Sequence, residues 1–441
     1  MNAFRRILEW PEVSDDSLGL ALWDAVSIAR AVRGTAVGNF AVSGVEIDSR
    51  DVTEGDLFFA LLGETTDGHR FVEGAYARGA AAVVCDREVD VPHVRVKDTT
   101  AALIALGKAA RERTRAKVIG VTGSVGKTGV KEAIFAALDR SSRGSAHRSV
   151  KSYNNHVGVP LSLARMPARS RFGIFEMGMN HAGEIRALAR QVRPHIAVIT
   201  TIAPAHIEML GSEEAIADAK AEIFEGLEPG GVAVIPADSP HYARLKDKAE
   251  RHAGAVVSFG RAPHATVRLL DAVPAAGGGT LVSAVLGDRR LCYTVAEPGD
   301  HWVINSLAVM AVVKAAGADL GAAGVALAEM AGLAGRGARI DIAAESGSAL
   351  VIDESYNANP ASMRATLAQL GKTQVLRRIA VLGSMTELGT HGPDFHAALA
   401  APIAEAGVDF AILVGGEMSA LADELGKAGG GALGKAIPFA H

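Results

Sequence analysis

Cysteine is scarce in the 441-residue sequence, which contains only Cys85 and Cys292. Two cysteines so far apart provide neither the disulfide framework of a small secreted domain nor a Cys-X-X-Cys metal site. An excess of either charge is also missing, because 45 basic and 49 acidic side chains give a formal net charge of -4. A dedicated nucleic-acid binder would be strongly basic, so we expect no nucleic-acid partner. Any anionic ligand must be held by a local site.

Long apolar runs are missing as well. No stretch reaches the roughly 18 consecutive apolar residues of a membrane-spanning helix. The first residues, 1–6, lead directly into Glu9, Trp10 and Pro11 without the apolar core of a signal peptide. With the scarcity of cysteine, these absences predict a protein of the reducing cytoplasm that does not insert into a membrane.

What the sequence does contain is an alternation of short apolar strands and helical stretches in three groups. The strand candidates are 57–61 and 80–84 in the first group, 118–121, 172–175, 196–201 and 232–235 in the second, and 349–352, 379–382 and 410–414 in the third. Such alternation favours an α/β fold with mostly parallel sheets. A length of 441 residues, at roughly 150 residues per domain, also predicts about three domains.

We place the domain boundaries at 1–112, 113–333 and 334–441, with the Gly-rich stretch 331–337 as the hinge between the second and third domains. The predicted fold is α/β, with a small N-terminal α/β domain, a central parallel-sheet domain and a C-terminal Rossmann-like domain. The basic segment 108–117 lies at the first boundary. We interpret its Arg111, Arg113 and Arg115 as a solvated linker face rather than a nucleic-acid patch.

The central domain opens with a candidate phosphate-binding loop. The strand 118–121 leads into Thr122-Gly123-Ser124-Val125-Gly126-Lys127-Thr128, and a helical pattern follows. Backbone N–H groups and the positive end of the helix can hold an anion, Lys127 can reach the β- and γ-phosphates of ATP, and the Thr128 hydroxyl can bind Mg²⁺. Val121 stands where the usual spacing has glycine, so this P-loop is shortened. The alternative is a structural glycine turn, but Gly-Lys-Thr falls where strand becomes helix, which favours a phosphate-binding P-loop.

Two polar side chains follow other apolar strands of the central domain. Glu176 ends the run 172–175, and His206 lies a few residues beyond the run 196–201. In a parallel sheet both share one edge with Thr128, where ligands of open α/β sheets bind. Hard oxygen ligands and an imidazole at that edge suit Mg²⁺ beside a triphosphate. Each residue alone has a simpler interpretation, a solvated glutamate and a structural histidine.

Lys220 is the least expected residue of its helix. After Ser212, a candidate N-cap, the helical spacing places Ile216, Ile223 and Leu227 on an apolar stripe that includes Lys220. Lysine is seldom buried without a partner. Either its aliphatic stem packs while the ammonium reaches solvent, or Lys220 is functional and needs a nearby anion, a metal or a covalent modification.

A series of short motifs runs through nearly the whole chain. In order they are Asp48-Ser49-Arg50, Gly55-Asp56-Leu57-Phe58, Asp67-Gly68-His69, the loop Thr122 to Thr128 with Lys131-Glu132, Asn154-Asn155 with Gly158-Val159-Pro160-Leu161, Glu176-Met177-Gly178, His206, Lys220 with Glu222-Ile223, His301 and Asn305, Gly335-Arg336, Ser355-Tyr356-Asn357-Ala358-Asn359-Pro360, Leu382-Gly383 with Met385, and Glu387-Leu388-Gly389. In this order the motifs resemble the ATP-dependent Mur ligase family.

The resemblance implies an N-terminal domain for a UDP-sugar, a central ATPase domain, and a C-terminal domain that closes over the nucleotide and receives the amine. It implies a monomeric amide ligase of peptidoglycan precursor synthesis. By this resemblance, ATP would phosphorylate the terminal carboxylate of UDP-N-acetylmuramoyl-tripeptide, and the D-alanyl-D-alanine amine would attack the acyl phosphate. The run 355–360 favours the member that adds D-alanyl-D-alanine over relatives that add glutamate or a diamino acid.

The resemblance also implies roles for particular residues. The catalytic residues would be Lys127, Lys220 and His206. ATP would be bound by Gly123, Ser124, Val125, Gly126, Lys127, Thr128, Asn305, Arg336 and Asp353. The other substrates would be bound by Ser49, Arg50, Asn154, Asn155, Asn357 and Asn359. Two Mg²⁺ ions would be held by Thr128, Glu176, His206 and Lys220, the lysine being carbamylated so that its amine becomes a carboxylate.

Four positions depart from the family pattern. Gly129 stands where the family repeats threonine, Trp302 replaces an asparagine, Glu354 replaces a second aspartate and Ser384 replaces an aspartate. None of them removes a phosphate or metal ligand. The family continues beyond the position of His441 through a helix and a strand with a Lys-Gly-Ser motif, so we expect a truncated C-terminal domain.

Two alternatives remain open at this point. One is a related ligase that adds another amino acid, and the other is a homologue that binds the UDP-sugar and nucleotide but has weakened catalysis. A nucleotide-driven switch or motor is disfavoured, because its acidic strand end would have to be Asp353, which lies beyond the hinge.

Overall fold

The structure is a computed structural model and describes residues 21–63, 66–204, 207–330, 332–344, 347–427 and 435–437. Contacts divide the chain into two compact units, Met1–Thr114 with Pro160–Ala168, and Arg115–Val159 with Arg169–His441. In the described part of the chain, no helix is both long and apolar enough to cross a membrane.

The first unit is built on a five-stranded sheet and a separate pair of short strands. The strands of the unit are β1 (Trp23–Asp24), β2 (Thr35–Val37), β3 (Ala41–Val42), β4 (Gly44–Glu46), β5 (Asp56–Phe59), β6 (Ala82–Cys85) and β7 (His93–Arg95), and the helices are α1 (Ala25–Val32), α2 (Val72–Ala77) and α3 (Thr99–Arg113). The sheet order is β2-β7-β6-β5-β4, parallel except for the β2–β7 pair, while β1 pairs with β3. All residues of β5 and β6 are buried, which explains the apolar runs 57–59 and 82–85.

The interpretation of the segment 108–117 as a solvated linker face was wrong for two of its arginines. Arg111 is buried, and the Arg113 guanidinium lies 3.4 Å from the centre of the Trp23 ring. Arg113 also donates hydrogen bonds to the carbonyls of Leu22 and Met166. Burial lowers the pKa of Arg113 to about 10. The segment was misassigned because the last turns of α3 pack into the first unit, which charge counting does not show.

Replacing Arg113 with alanine is expected to destabilise the first unit by about 2 kcal/mol, since a desolvated cation–π contact and two hydrogen bonds are lost together. Hydrogen exchange of the amides of α1 and α3, followed by mass spectrometry, measures this loss locally. The matched control is Arg115→Ala, at an exposed arginine two residues further on. Equal protection in both variants would contradict the structural role of Arg113.

The second unit contains a nine-stranded sheet. Its strands are β8 (Lys117–Thr122), β9 (Ala146–Arg148), β10 (Phe172–Glu176), β11 (Ile196–Ile199), β12 (Val232–Pro236), β13 (Ala255–Gly260), β14 (Val267–Pro274), β15 (Thr280–Leu286) and β16 (Arg289–Val295). The helices of this part of the chain are α4 (Lys127–Ser142), α5 (Gly158–Ala164), α6 (Glu184–Val192), α7 (Ile207–Leu210), α8 (Glu213–Ala221), α9 (Tyr242–Glu250), α10 (Asp300–Ala315) and α11 (Leu320–Glu329). Most of α5 belongs to the first unit.

The strand order of this sheet is β16-β15-β14-β13-β12-β11-β8-β10-β9. Strands β8 to β14 are all parallel, and only β15 runs against its two neighbours. The prediction of a mostly parallel central sheet is confirmed. Its carboxyl edge therefore carries the residues that follow β8, β10, β11, β12 and β13, which is the edge where open α/β sheets bind ligands.

The C-terminal part has two smaller sheets. Its strands are β17 (Ala338–Ala344), β18 (Gly347–Asp353), β19 (Ile379–Gly383), β20 (Phe410–Val414) and β21 (Lys435–Ile437), and its helices are α12 (Pro360–Lys372), α13 (Gly392–Ala397), α14 (Ala400–Glu405) and α15 (Ser419–Lys427). Strands β17 and β18 form an antiparallel pair, and β19, β20 and β21 form a parallel sheet. Leu382, Ile403, Leu413 and Leu421 lie in its core.

Candidate active site

The phosphate loop joins the central strand β8 to the sixteen-residue helix α4. Gly123 and Gly126 have φ values of 152° and 84°, which side chains other than glycine rarely adopt. A Cβ on Gly123 would also overlap the Thr200 hydroxyl. Gly126 is the residue before the helix, so the loop delivers the chain directly to the positive end of α4. This geometry fits an anion-binding loop.

Lys127 is folded back over this loop. Its ammonium donates to the Gly123 carbonyl at 2.9 Å and to the Ser124 carbonyl at 3.5 Å. Desolvation and the nearby Arg336 lower the pKa of Lys127, whereas Glu176 opposes the shift. The amine is thus held at the mouth of the loop by groups that a phosphate oxygen can replace.

Thr128 and Glu176 meet at the carboxyl edge of the sheet. The Thr128 hydroxyl donates to Glu176 Oε2 at 2.8 Å, and the Asn154 amide donates to Glu176 Oε1 at 2.8 Å. The Glu176 side chain is buried, and its backbone N–H donates to the Ser149 hydroxyl. A buried carboxylate beside a hydroxyl at the phosphate loop is a pair of hard oxygen ligands suited to Mg²⁺.

Lys220 lies inside the protein near the end of α8, with 1% of its surface exposed. The helix begins at the cap formed by Ser212, whose hydroxyl accepts from the Ala215 N–H. Burial, and then repulsion from Lys127, lower the pKa of Lys220 well below its ordinary value. The structure therefore contradicts the interpretation in which the Lys220 ammonium reaches solvent. His206, which was predicted to lie nearby, is outside the described residues.

Residues of the C-terminal part complete the cleft. The Arg336 guanidinium lies 3.8 Å from the centre of the Tyr356 ring and donates to the Ser152 hydroxyl, which is 3.4 Å from the Thr128 hydroxyl. Asp353 accepts from the N–H groups of Ser355 and Gly335, and these hydrogen bonds lower its pKa. Lys127, Glu176, Lys220, Asn305, Arg336 and Asn357 are among the residues that line one cleft of about 660 Å³.

Three of the predicted substrate-binding asparagines make hydrogen bonds with neighbouring residues of the chain. Asn155 accepts from the N–H groups of Val157 and Gly158. Asn359 is the N-cap of α12, where its side chain accepts from the N–H groups of Ala361 and Ser362. Asn357 accepts from the N–H of the next residue. Asn357 and Asn359 also line the cleft, whereas Asn155 does not appear among the cleft residues.

Ser49 and Arg50 belong to the first unit and lie in a turn before β5. The Arg50 side chain is mostly exposed and pairs with Asp48 at 2.6 Å. The backbone N–H of Arg50 also donates to the Asp48 carboxylate. This pairing pre-orients the guanidinium at the surface of the first unit.

Two polar residues of the site were not predicted to have a role. Ser152 connects Arg336 with Thr128, as described above. Lys131 is fully buried in α4, and its ammonium donates to the carbonyls of Ser149 and Lys151, which fixes the loop that carries Asn154. A lysine among the apolar residues of the helix, one turn after the phosphate loop, was a usable signal in the sequence. If buried there, it requires backbone acceptors nearby. Ser152 carried no such signal.

The carboxyl groups of buried Glu297 and half-buried Glu354 lie near each other. Glu297 is 6% exposed, and its carboxylate and that of Glu354 both lie close to Gly337. Burial, with repulsion from Glu354, raises the pKa of Glu297 to about 7, although Arg339 opposes the shift. The folded protein therefore holds this proton more tightly than the unfolded chain, and the free energy of unfolding falls as pH rises through the interval between the two pKa values.

Glu297→Gln is expected to remove this pH dependence. The variant should gain stability relative to the unmodified protein as pH rises from 5 to 8, by on the order of 2 kcal/mol. Thermal unfolding of both proteins at several pH values measures the difference. The control is Glu250→Gln at an exposed position of α9. A stability difference that stays constant with pH would contradict the raised pKa of Glu297.

Comparison with known proteins identifies three family regions in the chain. The Mur ligase family catalytic domain matches residues 41–128, the Mur ligase middle domain matches 121–313, and the Mur ligase glutamate ligase domain matches 338–439. The matches follow the chain in the order expected from the motifs.

Relatives that bear the name UDP-N-acetylmuramoyl-tripeptide D-alanyl-D-alanine ligase match most of the chain. The protein of Bacillus subtilis is 34% identical, over 87% of this chain and 83% of the relative. The protein of Synechocystis is 36% identical, over 83% and 78%, and that of Escherichia coli is 33% identical, over 88% and 84%.

Solved structures match over similar lengths. A crystal structure of MurF from Acinetobacter baumannii has a TM-score of 0.80 and 30% identity, over 92% of this chain and 88% of that chain. MurF ligase from Thermotoga maritima in complex with ADP has a TM-score of 0.69 and 25% identity, over 86% of each chain. These matches confirm the predicted three-domain α/β fold. The chain belongs to the Mur ligase family.

Proposed function

We propose that this protein is an ATP-dependent ligase that joins D-alanyl-D-alanine to UDP-N-acetylmuramoyl-tripeptide in peptidoglycan precursor synthesis. The named relatives cover more than three quarters of their own length and of this chain. The observation that carries the proposal is the arrangement at the carboxyl edge of the central sheet. There, Lys127 and Thr128 of the phosphate loop lie beside Glu176. ATP use is supported by the ADP bound in the Thermotoga relative.

The reaction requires an activated carboxylate, because a free carboxylate is a poor acyl donor. The terminal carboxylate oxygen of the tripeptide attacks the γ-phosphorus of ATP, the bond to the β-phosphate oxygen breaks, and ADP leaves. The amine of D-alanyl-D-alanine then attacks the acyl carbon, loses a proton, and expels phosphate from the tetrahedral intermediate. The positive charge of Lys127 offsets negative charge that develops on the phosphoryl oxygens.

The donor set at the phosphate loop fits Mg²⁺. Thr128 and Glu176 would hold one ion, and a second would be held by His206 and carbamylated Lys220. Bound Mg²⁺ would neutralise part of the triphosphate charge during phosphoryl transfer. In the described part of the chain, no group of three or more His, Cys, Asp or Glu side chains forms a metal site by itself. Such a sparse set is typical of Mg²⁺ sites that share their ligands with substrate phosphates.

The burial of Lys220 supports its proposed carbamylation. A buried lysine with a lowered pKa is held as the neutral amine, which is the form that reacts with CO₂. The nitrogen forms a bond to the carbon of CO₂ and loses a proton, so a carboxylate replaces the amine. Lys127 would attract the negative charge of the carbamate, whereas it repels a protonated Lys220.

The remaining predicted residues complete the assignment. Ser49 and Arg50 would contact the uridine nucleotide in a domain comprising 1–112. The ATPase domain, 113–333, would contact the nucleotide through residues 123–128 and Asn305. Arg336, Asp353, Asn357 and Asn359 of a domain comprising 334–441 would contact nucleotide and dipeptide, and Asn154 and Asn155 would lie on the acyl-donor side. We propose that the enzyme acts as a monomer in the cytoplasm.

The experiment that tests the function is ADP formation by the purified protein. Release of ADP should require both UDP-N-acetylmuramoyl-tripeptide and D-alanyl-D-alanine. D-glutamate and meso-diaminopimelate replace the dipeptide in control reactions, together with the carriers that related ligases extend. ADP formation that does not require both substrates, or that is faster with one of the control amino acids, would overturn the proposed specificity.

A further inference from the structure

The loop 149–154 follows the edge strand β9 and runs beside the phosphate loop. Ser149 comes directly after β9, and its backbone N–H donates to the Ile174 carbonyl of β10 at 3.0 Å. The Ser149 hydroxyl accepts from the backbone N–H of Glu176, the last residue of β10, at 3.1 Å. The beginning of the loop is therefore fixed to the strand that ends in Glu176.

Lys131 holds this loop from the buried side. Its ammonium donates to the Ser149 carbonyl at 2.9 Å and to the Lys151 carbonyl at 2.8 Å, and the Glu132 carboxylate, at 3.0 Å, balances its charge. Lys151 has a φ of 51°, a left-handed conformation that residues other than glycine rarely adopt. Such conformations persist only where the surrounding structure holds them. Because both carbonyls bond to one buried ammonium, Lys131 holds the turn in this conformation.

The next residue, Ser152, has its hydroxyl between two groups of the site. The hydroxyl oxygen accepts from the Arg336 guanidinium at 3.2 Å and lies 3.4 Å from the Thr128 hydroxyl. A serine hydroxyl has one proton to donate and two lone pairs that accept, so it can serve both neighbours at once. The Thr128 hydroxyl donates its own proton to Glu176, which leaves the Thr128 oxygen as an acceptor for Ser152.

Tyr356 and Ser152 together fix the place of Arg336. The guanidinium lies 3.8 Å from the centre of the Tyr356 ring, a contact that sets its distance from the ring but leaves it free to slide across the face. The hydrogen bond to Ser152 adds a direction. Burial lowers the pKa of Lys127, and the like charge of Arg336 lowers it further. Repulsion from Lys127 thus disfavours the position of the guanidinium, and the hydrogen bond to Ser152 stabilises it.

We infer that Ser152 is a positioning residue for phosphoryl transfer, whose hydroxyl, held in place by the contacts of Lys131, directs the Arg336 guanidinium towards the phosphate loop. This inference rests on the proposed ATP-dependent function. Ser152 is not among the described residues that line the cleft, so it acts through Arg336. A cation with a fixed position stabilises the charge of a transferring phosphoryl group without rearrangement. Loss of the Ser152 hydroxyl should therefore lower kcat and leave nucleotide affinity nearly unchanged.

The experiment is a double-mutant cycle on the full-length protein, with ADP release measured at saturating ATP, UDP-N-acetylmuramoyl-tripeptide and D-alanyl-D-alanine. Ser152→Ala should lower kcat about 10-fold, the effect of losing one hydrogen bond to a charged group. In an Arg336→Ala background, assayed in single turnover, the same substitution should change the rate less than about 2-fold, because its target is already gone. A merely structural role would give the same fold-loss in both backgrounds.

Further variants separate positioning from folding. Ser152→Thr, which keeps the hydroxyl, should retain most of the turnover, and Ser348→Ala, at an exposed serine of β18, is the matched control that should retain all of it. Calorimetry should show that Ser152→Ala changes the ADP Kd less than about 2-fold. Lys131→Met keeps a long side chain but removes the donors, so it should increase hydrogen exchange of the amides of 149–154 and lower kcat at least as much as Ser152→Ala. If Lys131→Met does not fold, the Ser152 cycle decides alone.

Two results would overturn the inference. One is an unchanged kcat in Ser152→Ala, and the other is an equal loss of rate with and without the Arg336 side chain. If the unmodified protein releases no ADP with its proposed substrates, the proposed function itself fails, and this outcome is seen before any variant is compared.

Discussion

Lys127→Ala is expected to lower ligase turnover by about 100-fold or more, by analogy with the loss of one preorganised charge-stabilising donor. The Lys127 ammonium is held by the carbonyls of Gly123 and Ser124 at the mouth of the phosphate loop. It therefore needs little rearrangement to reach a phosphoryl oxygen. Negative charge on that oxygen grows during transfer to the tripeptide carboxylate, so the loss should fall mainly on kcat.

The measurement is ADP release with both substrates at saturation, together with ADP binding by calorimetry. Lys246→Ala is the matched control, since Lys246 lies on α9 with an exposed side chain paired only loosely with Glu250 at 3.7 Å. The control should keep full turnover. Near-normal turnover in Lys127→Ala would show that the Gly-Lys-Thr segment is a structural turn and not an ATP site.

The sequence predicts the central sheet well because its strands are buried on both faces. Such strands appear as uninterrupted apolar runs, and the run 172–175 lies in the central strand Phe172–Glu176, all of whose residues are buried. The run 196–201 was too long by two residues. Thr200 and Thr201 turn away from the strand because they bond to the phosphate loop, where the Thr200 hydroxyl donates to the Val125 carbonyl.

Strands at the edge of the sheet were not predicted. Strands β14, β15 and β16 pair antiparallel with one another and carry charged, exposed residues, such as Asp271, Arg289 and Arg290. Their apolar residues alternate with polar ones, so no continuous run marks them. The sequence is informative where both faces of a strand are covered and much less so where one face is solvated.

The residues of the candidate site also differ in how well the sequence predicts them. Residues held by the local chain could be read from the sequence, as the phosphate loop shows. Asn359 also carried a local signal, because asparagine before proline at a helix start is a typical N-cap. By contrast, the contact of Trp302 with Gly129, and the link from Arg336 through Ser152 to Thr128, join residues far apart in the chain. These contacts depend on how helices pack over the sheet.

Lys220→Ala is expected to lower turnover to a similar extent, about 100-fold, if the carbamate supplies an oxygen ligand for Mg²⁺ during phosphoryl transfer. The lysine is buried at the end of α8, and removing its side chain leaves a space near Lys127 that is attractive to an anion. Acetate or formate should enter this space and restore part of the activity. Short carboxylates should not accelerate the unmodified enzyme.

Lys220→Met separates this chemistry from packing. Methionine keeps a long apolar side chain in the buried position, so the variant should fold as well as the unmodified protein, yet it leaves no room for a carboxylate. We expect Lys220→Met to be as inactive as Lys220→Ala but insensitive to acetate and formate. An electron-density map at Lys220 from crystals grown with bicarbonate should show the added carboxylate. Full turnover in Lys220→Met, or equal rescue of both variants, would rule out the carbamate and leave Lys220 as a packing residue.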